Sequence, residues 1–347
     1  MAIIVLLIYK PLTLGGLILK LLTLTIAAYN VEDYLEDTLS SLYKSKFLDE
    51  FEVLIVDDGS KDKTSEIGKK YENLAPQTFK YISKENGGHG STINKGIELA
   101  TGKYFKVIDG DDWVNTEAFD QFIIKLDNAD TDLVLTEHVG VYPDKKEPIE
   151  MIHDLKEGIV YSLSTPLDFS VSLHTTSVKT DLLRKNNVHI LENVFYDDAE
   201  YVIWSIYVSN TFTYYNLPVY MYRKGNENQS ASKQNMIKNI EMQKTMAYRL
   251  VSLDNDFIKQ INNNKQQIIL KTIIQSVGGA MRTFMLFDNA KNAKNELVKF
   301  DSEIKKISVP VYEQLNTNKF ISLVRKGNYN LFSVIRLAYK TWTNIKY

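Results

Sequence analysis

Asp109, Asp111 and Asp112 crowd around one glycine at the end of Tyr104–Trp113, reading YFKVIDGDDW, where an apolar run of strand type stops abruptly. Like charges this close either raise their own pKa values or recruit a cation. Hard divalent ions such as Mg2+ and Mn2+ take carboxylate oxygens, with phosphate completing the shell. The D-x-D arrangement of Asp109 and Asp111 therefore suggests a diphosphate held through a metal. A plain polar turn after a strand uses the same residue types, so the neighbouring segments must decide.

Those neighbours have βα punctuation. LLTLTIAAYN at 21–30 and FEVLIVDDGSKDKTSEI at 51–67 each read as a β-branched apolar run, a polar break and a helical pattern. In the second, Asp57 and Asp58 sit where the strand must end and Gly59 allows a tight turn. Ser60 or Asp62 then caps a helix continuing through Thr64 and Ile67. Ligands of open α/β sheets gather at the carboxyl ends of strands, which puts Asp57 against a site, while Asp58 and Ser60 read as turn and cap residues. The third unit, Phe79–Trp113, runs strand, Gly-rich loop, helix, strand. Gly87, Gly88 and Gly90 precede a helix expected to begin near Ser91, a geometry that brings backbone N–H groups to an anion. The spacing matches neither G-x-G-x-x-G nor G-x-x-x-x-G-K-[ST], so the dinucleotide-oxidoreductase and P-loop fingerprints are absent.

TIAAYNVEDYLEDTLSSL, VDDGSKDKT, ENGGHGSTINKGIELATGKY and IDGDDW, in that order across 21–113, resemble a family 2 glycosyltransferase with the GT-A fold, an α/β Rossmann-like mixed sheet flanked by helices. The resemblance implies an inverting enzyme of the bacterial surface-polysaccharide type with a nucleotide-diphosphate-sugar donor, a UDP-sugar first among candidates. On matching positions Ala28, Tyr29, Asn30 and Asp57 hold the nucleoside. The loop from Asn86 through Gly87 and Gly88 to Asn94 lines the donor pocket, and Asp109, Gly110 and Asp111 form the D-x-D turn, with Mn2+ or Mg2+ on Asp111 and Asp109. One departure is Thr92-Ile93-Asn94, where many relatives carry Ala-Arg-Asn, so the Arg expected near the donor is absent and Lys95 is the candidate substitute.

Beyond the donor half, TDLVLTEHVGVYP reads as a strand and an excursion, and FSVSLHTTSVKTDLLRKNN as a strand leading into a helix. His174 lies between them, one of five histidines; it is either a third metal ligand or a hydrogen-bonded structural residue. In ILENVFYDDAEYVIWSIYVSN the pair Asp197-Asp198 opens a helical pattern, a position the helix dipole favours for acids. The family usually carries Glu-Asp here, so the resemblance gives the catalytic base role to Asp198, with Asp197 as the other candidate. LPVYMYRKGNENQSAS resembles the family's Tyr-x-Tyr-Arg strand and Gln-Ser loop, implying that Arg223, Gln229 and Ser230 contact donor diphosphate or acceptor.

The expected organisation is an apolar N-terminal extension (1–20), a catalytic domain (21–232, donor half 21–113 and acceptor half 114–232) and a helical C-terminal region (233–347). The extension is broken by Lys10, Pro11 and Gly15-Gly16, too interrupted for a spanning helix, which needs roughly 20 apolar residues. The last stretch, 319–347, has six basic residues and none acidic. Leu331, Val334, Ile335, Ala338, Trp342 and Ile345 recur at helical spacing. A helix on an anionic membrane surface and a helix packed on the catalytic domain both satisfy that pattern.

The 347 residues carry a net charge of −2, which excludes a general nucleic-acid footprint, and no cysteine, which excludes disulfides and thiolate metal sites. The 21 tyrosines suit a sugar-binding surface. The reading is a cytoplasmic transferase, peripheral on the inner face of the membrane, acting on a glycan or lipid-linked acceptor. A metal-dependent nucleotidyltransferase and a non-catalytic sugar-nucleotide or glycan-binding module are the alternatives.

Overall fold

The computed structural model describes residues 13–14, 17–18, 20–149, 155–166, 169–225, 232–256 and 263–346. Most of the N-terminal extension lies outside them, as do Gln229, Ser230 and the side chains of Trp342 and Ile345. What is described of the extension is a short antiparallel pair, β1 (Thr13–Leu14) and β2 (Leu17–Ile18).

The segment from residue 22 to 109 is built as its apolar runs dictate. β3 (Leu22–Ala28), α1 (Leu35–Tyr43), β4 (Phe51–Asp57), α2 (Thr64–Leu74), β5 (Phe79–Ser83), α3 (His89–Leu99) and β6 (Tyr104–Asp109) alternate strictly. Every residue of β4 is buried, as a parallel strand covered on both faces must be. The strand order β6-β3-β4-β5 is parallel throughout, and the chain changes direction across the sheet between β3 and β6. Ligands of open α/β sheets bind at such a switch point, outside the carboxyl ends of the strands. Register puts Ala28 beside Asp57 and Ala27 beside Asp109, so the two acidic strand ends lie on the same edge.

β7 (Trp113–Val114) and α4 (Thr116–Asp127) then lead into the rest of the sheet and its helices, with β8 (Leu133–Val141), β9 (Lys146–Ile149), β10 (Val160–Ser162), a 3-10 turn at Leu173–Thr175, β11 (Thr176–Lys179), α5 (Thr180–Lys185), α6 (Asp198–Val208) and β12 (Thr211–Arg223). Antiparallel β11 joins β6 to β8, β12 runs parallel to β8, and β7 pairs with β12, closing a ten-stranded mixed sheet.

Helices follow: α7 (Lys233–Lys238), α8 (Ile240–Asp256), α9 (Asn263–Leu286), α10 (Ala290–Ile307), α11 (Val309–Gln314), α12 (Lys319–Arg325) and α13 (Phe332–Lys346). Their apolar faces merge with one side of the sheet. Phe105 and Leu133 share a continuous core with Tyr201, Met246, Ile273, Phe300, Val324 and Phe332. The other sheet face packs on α1, α2 and α4 through Leu39, Tyr71, Phe119 and Phe122. Among the described residues no helix is long and apolar enough to cross a membrane.

Candidate functional site

The acidic turn after β6 does not treat its three carboxylates alike. Because β7 pairs with β12 in the register Val114–Tyr220 and Trp113–Met221, Asp112 is drawn inward and fully buried. Its carboxylate accepts hydrogen bonds from the Tyr220 hydroxyl at 2.7 Å and the Arg223 amide at 2.7 Å. Burial, then the neighbouring charges of Asp109 and Asp111, push its pKa well above the carboxylate range. Asp109 is half-buried, and there the imidazole of His89 outweighs desolvation and holds the pKa down. Gly110 is required because a Cβ would meet the Ala27 carbonyl oxygen at 2.7 Å.

Oxygens of Asp109 and Asp112 and a ring nitrogen of His174 lie within 4.8 Å of one another. Asp111, the expected partner of Asp109, is not in this group: the turn directs its backbone carbonyl to Arg223 Nε at 2.7 Å, and Asp112 takes the inward place. His174 is stacked between His138 and Tyr222, with ring centroids at 5.1 and 4.6 Å, and edge-on to Tyr220 at 4.6 Å. Tyr220 and Tyr222 meet it together because alternate strand residues share a face. Its carbonyl accepts from Lys106 Nζ at 2.6 Å, a fully buried lysine whose pKa burial lowers to about 7. Desolvation brings the His174 pKa down to about 4, so at neutral pH its ring is an uncharged potential ligand.

His89, at the start of α3, joins the two halves of the site. Its Nε2 is 3.0 Å from Asp109 Oδ1, and its Nδ1 is 3.0 and 3.1 Å from the two oxygens of Asp197. Desolvation opposes a charged ring here, but Asp197 and Asp109 prevail and raise its pKa well above the ordinary histidine value. Asp197 is buried and makes no side-chain cap to α6, whereas the next residue, Asp198, is open to solvent. Protein packed around that opening still desolvates the charge, and with Asp197 beside it the Asp198 pKa is raised to about 6.

The Gly-rich loop has a different anion from the one expected. Gly87 and Gly88 amides bind the Asp58 carboxylate at 2.9 and 2.8 Å, Lys84 Nζ lies 2.6 Å from it, and Asn86 Nδ2 donates to the Asp58 carbonyl at 3.0 Å. Asp58 is thus more than a turn residue: a buried carboxylate needs these donors, and it leaves neither amide turned toward a phosphate. Asp57 is also buried, accepting from the Ser60 amide at 2.8 Å and the Tyr81 hydroxyl at 2.5 Å. Tyr29 is 51% exposed beside it, and Asn30 adopts φ 51° with its side chain accepting from the Lys61 amide at 2.8 Å. The α3 helix begins two residues before the expected Ser91, at His89. Asn94 holds the 190–192 loop, its Nδ2 2.9 Å from both the Ile190 carbonyl and Glu192 Oε1. Lys95 pairs with Glu98 at 2.9 Å rather than with the acidic turn. Arg223 stacks on Trp113 and Tyr34, its guanidinium 4.5 and 4.9 Å from the ring centres, and reaches Asp37 at 3.0 Å, bracing the turn from its outer side.

Comparison with known proteins adds to this geometry. The family described as Glycosyl transferase family 2 matches residues 23–191, which hold the switch point, the Gly-rich loop and the acidic turn. Over these residues the chain is similar to glycosyl transferase family 2. EpsH of Bacillus subtilis (strain 168), named a glycosyltransferase, is 36% identical over 122 residues, covering 35% of this chain and 35% of EpsH. The poly(ribitol-phosphate) beta-N-acetylglucosaminyltransferase TarS of Staphylococcus aureus (strain MW2) is 30% identical over 176 residues, or 49% of this chain and 29% of TarS. The chain thus matches about a third of the length of these curated relatives.

Among solved structures, S. aureus TarS 1-349 aligns with a TM-score of 0.62 at 18% identity, covering 92% of this chain and 91% of that one. Its complex with UDP-GlcNAc aligns at 0.53 and 20% identity, covering 86% and 92%. The mannosyltransferase PcManGT from Pyrobaculum calidifontis, in complex with GDP-Man and Mn2+, aligns at 0.52 and 15% identity, covering 98% and 87%. At these identities the likeness is one of fold, the GT-A arrangement.

Asp198, β12 and the C-terminal helices lie beyond the matched segment. Sequence reasoning singled out neither His89 nor Tyr220, and it placed Asp112 in the acidic cluster without choosing it as a ligand. The signals were a histidine between two glycines, the third acid of DGDD, and the Tyr-x-Tyr alternation of β12.

Proposed function

We propose that this chain is an inverting transferase that moves a hexose from a nucleoside-diphosphate sugar, with UDP-sugars first, to an acceptor hydroxyl. The observation that carries the reading is Asp198: a solvent-open carboxylate with its pKa raised to about 6, one residue from the Asp197–His89–Asp109 hydrogen-bond chain that leads to the acidic turn. Such a group is still ionised at neutral pH yet more basic than an ordinary carboxylate, which suits it to accept a proton. The acceptor hydroxyl loses its proton to Asp198, its oxygen attacks the anomeric carbon from the face opposite the diphosphate, and the bond from that carbon to the β-phosphate oxygen breaks. Configuration inverts and the nucleoside diphosphate leaves.

The acidic turn fits a divalent ion. Two carboxylates and an uncharged imidazole converge, and one carboxylate, Asp112, is buried with like charges for neighbours. Asp109, Asp112 and His174 would hold Mg2+ or Mn2+, which when bound supplies positive charge for the diphosphate. The mannosyltransferase complex, which holds both GDP-Man and Mn2+, supports that reading. The 51% exposure of Tyr29, which follows β3, supports a role in stacking on the nucleobase, with Asp57 and Asn30 shaping the neighbouring turn.

The polymer named in TarS supports a bacterial surface-glycan precursor, lipid-linked or polymeric, as acceptor. Leu331, Val334 and Leu337 are exposed at 43, 68 and 68% on the outer side of the C-terminal helices, with Lys319 and Lys326 exposed nearby. That apolar and basic face supports a peripheral seat on an anionic membrane surface. The test of the whole reading is a nucleotide-release assay with UDP-, GDP- and dTDP-sugars. Release of nucleoside diphosphate from one class bears it out, whereas release of pyrophosphate from a nucleoside triphosphate and sugar phosphate makes the chain a nucleotidyltransferase.

A further inference from the structure

The contacts around His89 form a clamp between the donor and acceptor halves. On one side is α3 with its entering loop, on the other the segment 190–198 that delivers Asp198. The Asn193 amide donates to the Gly87 carbonyl at 2.6 Å, and Asn94 Oδ1 accepts from the Ile190 amide at 2.8 Å. The approach is so close that a Cβ on Gly90 would sit 2.3 Å from the Leu191 carbonyl oxygen and 2.8 Å from Asp197 Oδ2. A Cβ on Gly88, where φ is +83°, would lie 3.1 Å from the Asn193 amide nitrogen. Glycine on both sides of His89 is therefore what lets the imidazole reach across.

The facing segment is shaped to meet it. Asn193 and Tyr196 hold φ of 59° and 70°, a left-handed conformation that costs a bulky residue free energy and persists where surrounding contacts impose it. These two turns swing Asp197 inward to His89 and leave the following Asp198 open to the cleft. From the far side Glu200, fully buried, accepts from the Leu191 amide at 2.9 Å and from Arg249 Nε at 2.9 Å, so the segment is gripped by the C-terminal helices as well.

We propose that His89 is a positioning residue for transfer: bonded to Asp109 on the donor side and Asp197 on the acceptor side, it sets the span between the diphosphate cradle and the Asp198 base. The inference rests on the transferase reading above and deepens it. His89 need touch neither sugar nor acceptor; it acts through Asp197, and its removal loosens the placement of Asp198 without removing a donor contact.

A double-mutant cycle on the full chain tests this. With UDP-GlcNAc as donor and water as acceptor, His89→Ala and Asp197→Asn should each lower the UDP release rate by about tenfold. The double variant should be no more than about twofold worse than the poorer single one, because the two residues act as a unit. UDP affinity, read by calorimetry, should move by less than about threefold. His89→Asn, which keeps one of the two bonds, should recover part of the rate. A multiplicative loss near a hundredfold in the double variant, or UDP affinity falling in step with the rate, overturns the proposal.

Amide hydrogen exchange of the same variants needs no turnover. His89→Ala should speed exchange across 190–198 at least about tenfold while leaving the strand Leu22–Ala28 unchanged. Equal protection in both proteins also overturns it. If wild type releases no UDP while exchange responds as expected, the donor reading has failed and the clamp stands.

Discussion

At the residue scale the decisive contrast is between adjacent acids. Asp197 and Asp198 are indistinguishable to helix-dipole reasoning, yet one is buried against His89 and the other is open with its pKa raised to about 6. Asp198→Asn should lower transfer by at least about a hundredfold, the lower range for losing a general base, with UDP affinity unchanged in a binding titration. The wild-type rate should fall about tenfold per pH unit below about 6, because protonation removes the base; the asparagine variant should lose that limb. A retained limb places the base elsewhere. The acidic turn gives a second contrast. Asp109→Asn and Asp112→Asn should each weaken Mn2+-dependent UDP binding at least about tenfold, with Asp111→Asn milder, since a neutral amide is a poor ligand for a hard cation. If Asp111→Asn alone loses the Mn2+ dependence, the second acid of D-x-D is the ligand in place of Asp112.

At the scale of elements, α3 must lie close to the sheet for its first residue to reach both carboxylates. Gly96 makes that approach possible: a Cβ there would sit 2.5 Å from Thr25 Oγ1 and 3.1 Å from Phe105. Gly96→Ala should therefore cost about 1–3 kcal/mol in urea unfolding, the range for overpacking a full core, and should lower turnover as well by shifting His89. A variant as stable as wild type would mean that the helix can lift from β3 without penalty. Arg184 at the other end secures the same helix, its Nε and Nη2 donating at 2.9 Å to the carbonyls of Ile97 and Glu98. The positive end of the α3 dipole at His89 also faces the acidic turn, adding to the attraction.

At the scale of the whole molecule, the C-terminal helices are structure on one face and open on the other. Ile321, Val324 and Phe332 are fully buried, and Arg325 grips the buried Asp301 with Nη2 2.5 Å from Oδ1. Truncation at Asn318 would strip these contacts, so it cannot report on membrane attachment alone. Substituting the outer face can. Val334→Glu with Leu337→Glu should abolish sedimentation with phosphatidylglycerol vesicles at low salt while leaving the melting temperature within about 2 °C, since both side chains are 68% exposed. Unchanged vesicle binding removes the membrane seat, and a large fall in melting temperature assigns the face to packing.

The parts of this protein legible in its sequence are those encoded over short distances. The strands β3 to β6, the polar breaks after them and the DGDD turn follow from apolar runs and turn residues within about ten positions of one another, and four such segments in order were enough for the family resemblance. The amphipathic tail was legible too, although which of its faces is covered was not. What only the tertiary structure decided were pairings between distant residues: His89 with Asp197, 108 positions away; Asp112 with Tyr220, also 108 away; the Gly87 and Gly88 amides with Asp58. Each is the answer to where a buried charge finds its partner. That depends on strand register and on how the two halves of the sheet meet, and local sequence pattern carries neither.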